Sequence, residues 1–269
     1  MPTELLLILS GIAAGTFGAM LGLGGGLLIV PLLTFAFGVP LTAAVGTSLV
    51  CVIATSTGAA ALNVRAGRAD VRLGITLGAA TVVGAASGGI AAGILPERVV
   101  AGLFAALLAY TALTMLRGLR SSSVARHPGP EPDPTVPDGP DAPTYRTHRL
   151  PLAWAGSLVA GQASGLLGVG GGIISVPLMR MVMGAPMRVA VATSNFMIGI
   201  TAAAGAAAYL FRGEIDPRVA APVVIGVTLG AGLGAGAAAR LRPGWLTVLF
   251  VVVVAYVAVR MALRAAGAE

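Results

Sequence analysis

Two copies of one glycine-rich segment constrain this chain more than any other feature. Leu21-Gly22-Leu23-Gly24-Gly25-Gly26-Leu27-Leu28-Ile29-Val30-Pro31-Leu32 returns as Leu167-Gly168-Val169-Gly170-Gly171-Gly172-Ile173-Ile174-Ser175-Val176-Pro177-Leu178, from Gly24 to Gly170 an offset of 146. The offset holds without a gap well beyond the motif. Gly15 falls on Gly161, Gly38 on Gly184, Pro40 on Pro186, Thr47-Ser48 on Thr193-Ser194, and Asp70 on Asp216. Gly84 and Gly88 fall on Gly230 and Gly234, Phe104 on Phe250, Tyr110 on Tyr256. A duplicated apolar chain interrupted by glycine at matching points is the pattern of a two-repeat membrane transporter, and the interruptions point to its substrate site.

Composition agrees. The chain is 57% hydrophobic and 10% charged, with a mean hydropathy of +0.93, whereas soluble domains carry about 25% charged residues. Apolar stretches of membrane-spanning length recur, which predicts an all-α polytopic membrane protein with the lipid bilayer as solvent. The alternating segments of a β-barrel are missing. The net charge of +7 comes entirely from arginine on the basic side, and most of it falls in short loops and a central segment. That suits positive-inside topology and anionic lipid. No basic helix face or aromatic platform accompanies it, so nucleic acid is not an expected partner. Cys51 is the sole cysteine, which rules out an intrachain disulfide or a cysteine-based metal site, and His127 and His148 both lie in the central segment. No metal and no cofactor is expected. The apolar N-terminus has no basic residues before it and recurs mid-chain, so it reads as part of the folded unit rather than a signal peptide.

Each half has one plan. A run over 5–21 would be ~26 Å long as a helix, and the run over 27–38 only ~18 Å, short of the ~30 Å hydrocarbon core. Together they read as a helical hairpin with Gly22 to Gly26 at its tip. Val39-Pro40 then turns the chain. Spans follow at 41–63, 71–95 and 98–117. The second half predicts a hairpin over 151–184 and spans at 187–210, 219–241 and 245–264. Small residues four apart, such as Gly84 and Gly88, allow close helix approach. Between the halves, 121–149 is rich in Pro, Asp, Ser and Thr and reads as a flexible cytoplasmic linker flanked by Arg117, Arg120, Arg126, Arg146 and Arg149. The division is therefore a first repeat over 1–120, the linker over 121–149 and a second repeat over 150–269. A hairpin that returns to its own side leaves three crossings per half and inverts the second half. A broken single span leaves four and keeps the halves parallel. The arginines divide on the question, and the short second arm favours inversion.

A backbone break inside a membrane leaves polar groups that protein, water or a ligand must satisfy. Consecutive glycines let a ligand approach the main chain, and the helix starting after each cluster offers free N–H groups and a positive dipole end. Two such ends near the midplane would bind a small anion without a formal positive charge. The expected substrate-binding residues are Gly22, Gly24, Gly25 and Gly26 with Gly168, Gly170, Gly171 and Gly172. Thr47 and Ser48 join them with Thr193, Ser194 and Asn195, whose hydroxyl and amide groups suit an oxyanion or else bond between helices. Gln162 and Ser164 precede the second tip as further donors. Spacing excludes a dinucleotide fingerprint, because Leu27 and Ile173 stand where a third glycine is needed. No Asp, Glu or His falls in a span interior, which argues against a buried carboxylate relay. Asp70 and Asp216 lie at span ends, where helix capping is the simpler role. Arg180 in the second short arm would snorkel to the interface. The spans hold no nucleophile–base or metal-ligand set, so an enzyme is not expected.

The Gly22-Leu-Gly-Gly-Gly cluster with Val30-Pro31, its copy ending in Val176-Pro177, and the Thr-Ser pairs resemble the sulfite exporter TauE/SafE family over nearly the whole chain except the linker. The resemblance implies an inner-membrane, multi-pass permease for sulfite, sulfonates or related sulfur-containing or organic anions. A secondary carrier of that kind would work by alternating access around the tips, with a proton or sodium ion as possible coupling ion. An anion channel and a membrane scaffold or assembly factor stay open beside it. Ala192 and Asn195 stand where the first half has Gly46 and Leu49, so a ligand site there would be asymmetric.

Overall fold

The computed structural model describes residues 3–20, 26–122, 150–238 and 243–267. Among these, all regular structure is helical. The first half supplies α1 (Thr3–Met20), α2 (Gly26–Ala36), α3 (Leu41–Arg65), α4 (Val71–Ile94) and α5 (Glu97–Ser122). The second supplies α6 (Leu150–Leu167), α7 (Gly172–Met183), α8 (Met187–Phe211), α9 (Pro217–Ala238) and α10 (Pro243–Ala266). The chain is thus an all-α polytopic protein whose halves follow one helix order. Six helices among the described residues, α3, α4, α5, α6, α8 and α9, are long and apolar enough to cross a membrane. The short arms α2 and α7, with 11 and 12 residues, are not. Gly22, Gly24 and Gly25 of the first tip and 123–149 of the linker lie outside the described residues.

The chain turns at matching points for matching reasons. Each short arm ends on a left-handed glycine, Gly38 at φ 65° and Gly184 at φ 70°, a conformation that costs other residues a Cβ clash. In both, the backbone N–H of the residue after that glycine closes the arm: Val39 donates to the Leu33 carbonyl and Ala185 to that of Met179, each at 3.1 Å. Pro40 and Pro186 then precede α3 and α8 with ψ 142° and 143°. Asp70 caps α4, its carboxylate accepting from the Leu73 N–H at 2.9 Å, and Asp216 accepts from the Arg218 N–H at 2.9 Å ahead of α9. Both satisfy N–H groups that a helix start leaves unpaired.

Packing exchanges elements between the halves. The long hairpin arm α1 lies along α9 and α6 lies along α4, while α3 packs on α8 and α5 on α10. Glycine allows the first two seams. A Cβ on Gly161 would strike the Thr81 backbone, and one on Gly15 would strike Val227, the residue that the offset assigns to Thr81. Gly84 and Gly88 meet the backbone of Leu158 and Gln162; Gly230 and Gly234 meet that of Ile12 and Thr16. Backbones this close gain dispersion and Cα–H···O contacts, which drive helix association where the surroundings are as apolar as the side chains. The outward face differs. On α4, Leu73 and Leu77 are buried while Ile75, Val83 and Ile90 are exposed, the face a hydrocarbon solvent would cover. Phe104 and Phe250 are both buried between α5 and α10, and Tyr110 and Tyr256 are both exposed.

Candidate functional site

The second tip is a four-residue turn in which three glycines take positive φ: Gly168 at 73°, Gly170 at 81° and Gly171 at 73°. Side chains would strain here, and they would also collide. A Cβ on Gly170 would lie 2.9 Å from a Val52 methyl and 3.0 Å from one of Ile198. The Gly168 N–H closes α6 on the Ser164 carbonyl at 2.8 Å, and α7 opens with Ile174 and Ser175 both donating to the Gly171 carbonyl at 3.1 and 3.0 Å. The N–H groups of Gly172 and Ile173 precede that ladder and carry the positive end of the α7 dipole.

Two hydroxyls close on this helix end. A Cβ built on Gly171 would sit 3.7 Å from Ser164 Oγ, and one on Gly172 would sit 3.4 Å from Ser194 Oγ. Both serines are 1% exposed, and neither hydroxyl has a hydrogen-bond partner among the described residues. Ser157, two turns earlier on α6, is buried with an unpartnered hydroxyl as well. Buried polar groups are nearly always paired, and these three hydroxyls are exceptions among the described residues, two of them beside the first N–H groups of α7.

The first tip meets the second at Ser48. Its hydroxyl lies 2.8 Å from the Gly168 carbonyl and 3.1 Å from that of Gly26, and donates to them. Gly26 itself has no room for a side chain: a Cβ there would be 2.8 Å from the Gly168 oxygen and 2.7 Å from a Val52 methyl. The structure therefore gathers Gly26, Ser48, Gly168, Gly170, Gly171, Gly172 and Ser194 of the expected set, with Ser164. Thr193 faces elsewhere and accepts the Asp70 backbone N–H at 2.9 Å, tying α8 to the loop before α4. Thr47 is buried and Asn195 half-buried. Gln162 is exposed; two residues on a helix turn about 200°, which puts it opposite Ser164.

Sequence reading missed a second polar cluster. The Tyr209 hydroxyl donates to the carbonyls of Gly165 at 3.0 Å and Leu166 at 3.3 Å, just before the tip. The Arg212 guanidinium covers its ring at 4.7 Å, pairs with both Glu214 oxygens at 3.0 Å, and donates to the Gly89 carbonyl of α4 at 2.6 Å. Hydrogen bonding to Glu214 pushes the Arg212 pKa up from its ordinary value, so the guanidinium stays charged. Above this contact α4 and α8 are also joined by the buried hydroxyl pair Thr81–Thr201 at 2.6 Å. The offset gave no signal for the cluster, because Asn63, Ala66 and Arg68 stand at the matching positions. A groove of about 460 Å³ opens beside it, walled by Ala86, Ile90, Ala204 and Phe211. It offers apolar surface and an arginine that is already paired.

The model of the family described as sulfite exporter TauE/SafE matches residues 7–261. A probable membrane transporter protein of Bacillus subtilis, YunE, is 27% identical over 233 residues, which is 84% of this chain and 85% of the relative. A protein of the same description from Methanocaldococcus jannaschii is 28% identical over 76% of this chain and 72% of its own length. One from Haemophilus influenzae is 25% identical over 83% of each. No solved structure matches the chain.

Proposed function

This chain belongs to the sulfite exporter TauE/SafE family and is a multi-pass membrane transporter, and from that premise we propose that it carries small sulfur-containing oxyanions or organosulfonates as a secondary transporter. The observation that carries the reading is Ser48 bonding both Gly26 at the start of α2 and Gly168 of the second tip, beside a helix N-terminus lined by the hydroxyls of Ser164 and Ser194, which have no partner among the described residues. A helix end with free N–H groups favours negative charge. Non-helical backbone at such a place, between elements contributed by both halves, is where transporters of this build place a substrate. Alternating access would rock one hairpin-bearing bundle against the other, with the halves inverted and a proton or sodium ion as coupling ion. The setting is the inner membrane.

Radiolabelled sulfite flux into proteoliposomes, with and without an imposed pH gradient, tests the proposal. Saturable flux above empty liposomes supports it, and dependence on the gradient identifies the proton as coupling ion. Folded protein that moves neither sulfite nor a sulfonate sinks it. Unsaturable conductance would identify a channel instead, and a stable protein partner without flux would identify a scaffold. Gly25→Val and Gly171→Val should abolish flux in protein that still reaches the membrane.

A further inference from the structure

We infer that the second tip holds the anion, on the hydroxyls of Ser164 and Ser194 and the N–H groups of Gly172 and Ile173, and that this site takes a singly charged anion in preference to a doubly charged one. The inference deepens the carrier reading and rests on it for the ligand being an anion. The division of labour comes from the hydroxyls. Ser48 and Ser194 are offset mates, yet the Ser48 hydroxyl is occupied by the Gly26 and Gly168 carbonyls, while that of Ser194 has no partner among the described residues. Ser164 has no mate at all, since Gly18 stands at its matching position. Among the described residues the second tip thus has two uncommitted buried hydroxyls, whereas the hydroxyl of Ser48 is committed.

The charge preference comes from the walls. Val52 and Ile198 close the turn with hydrocarbon. Tyr209, on α8 with Ser194, has its hydroxyl engaged by the Gly165 and Leu166 carbonyls, Asp70 meets Thr193 through its backbone N–H, and Arg180 is exposed further along α7. The electrostatic cost of drying an ion rises with the square of its charge, and the return from a fixed set of neutral donors rises only in proportion to it. Two hydroxyls and two N–H groups can compensate one charge spread over a sulfonate. They are few for the two charges of sulfate.

The experiment is anion-dependent thermal stabilisation of the purified full chain in detergent, with methanesulfonate and sulfate as probes at matched ionic strength. Methanesulfonate should raise the unfolding temperature saturably and sulfate should not. Ser164→Ala and Ser194→Ala should each weaken the apparent Kd for methanesulfonate at least tenfold. Ser87→Ala, on the exposed side of α4, should leave it unchanged. Equal stabilisation by sulfate, stabilisation by neither anion, or wild-type Kd in both serine variants overturns the inference. Binding of the expected kind without flux in proteoliposomes would overturn the carrier reading and leave this assignment standing. Sulfite flux with binding indifferent to both serines would do the reverse.

Discussion

Ser48 and Ser194 occupy the same position in the two halves, follow the same threonine and are equally buried. One ties two backbone carbonyls together and the other faces a helix end with nothing to bond among the described residues. The difference shows what a duplication copies. Backbone geometry is copied closely: the left-handed glycines at 38 and 184, the extended prolines at 40 and 186, the aspartate caps and the two glycine seams all recur. The hydrogen bonds of the tip serines are not, because they depend on what the partner half presents. The halves share a scaffold and divide the polar work.

That contrast can be broken at the scaffold first, where the effect is largest. Gly161→Val and its mate Gly15→Val each drive a side chain into opposing backbone, which cannot move aside as a flexible side chain would. Each should cost about 3 kcal/mol or more and abolish monodisperse protein in detergent. A large effect in one seam and none in the other would mean that the seams are not equivalent. A smaller effect belongs to a contact that only one half has. Arg212→Ala removes the donor to the Gly89 carbonyl, and should lower stability by about 1 kcal/mol. Its partly exposed pair with Glu214 adds little to that. Arg212→Lys should not restore the loss, since an ammonium cannot hold Glu214 with two parallel bonds and reach Gly89 as well. Thermal unfolding of the three proteins checks both statements. The smallest effect is expected from Thr81→Val, which installs the residue found at its mate, Val227. Thr201 can then turn back to its own helix as Thr55 does to the Cys51 carbonyl at 3.1 Å, so the loss should stay under about 1 kcal/mol.

Much of the scaffold was legible because it rests on local rules. Apolar length and proline position place α3, α4, α8 and α9 within a few residues of their observed bounds. The short arms follow from the shortage of apolar residues between glycine cluster and proline. Spacing shows that Gly84 and Gly88 seek a close neighbour, but the neighbour itself, α6 of the other half, depends on how the halves interlock, which spacing does not encode. Repetition also singled out the glycine tips and Ser194 as site candidates. Repetition was also the limit. It treats Ser48 and Ser194 alike, pairs Thr47 with a Thr193 that bonds the Asp70 backbone, and passes over Tyr209 and Arg212, which have no counterparts; Ser164, which has none either, was reached through its chemistry. Gln162 was chosen for its chemistry, and helix phase turns it to the exposed side.

The central claim is that one half commits its tip hydroxyl to structure and the other keeps its hydroxyls for a ligand. The most direct measurement is the unfolding of Ser48→Ala and Ser194→Ala, side by side, in buffer free of candidate anions. Ser48→Ala should be destabilised by about 1–3 kcal/mol, because the Gly26 and Gly168 carbonyls lose their donor in a dry interior. Ser194→Ala should be as stable as the parent or slightly more so, since it removes a buried hydroxyl that no described residue satisfies. Equal destabilisation of the two would contradict the account and return both serines to a shared structural role.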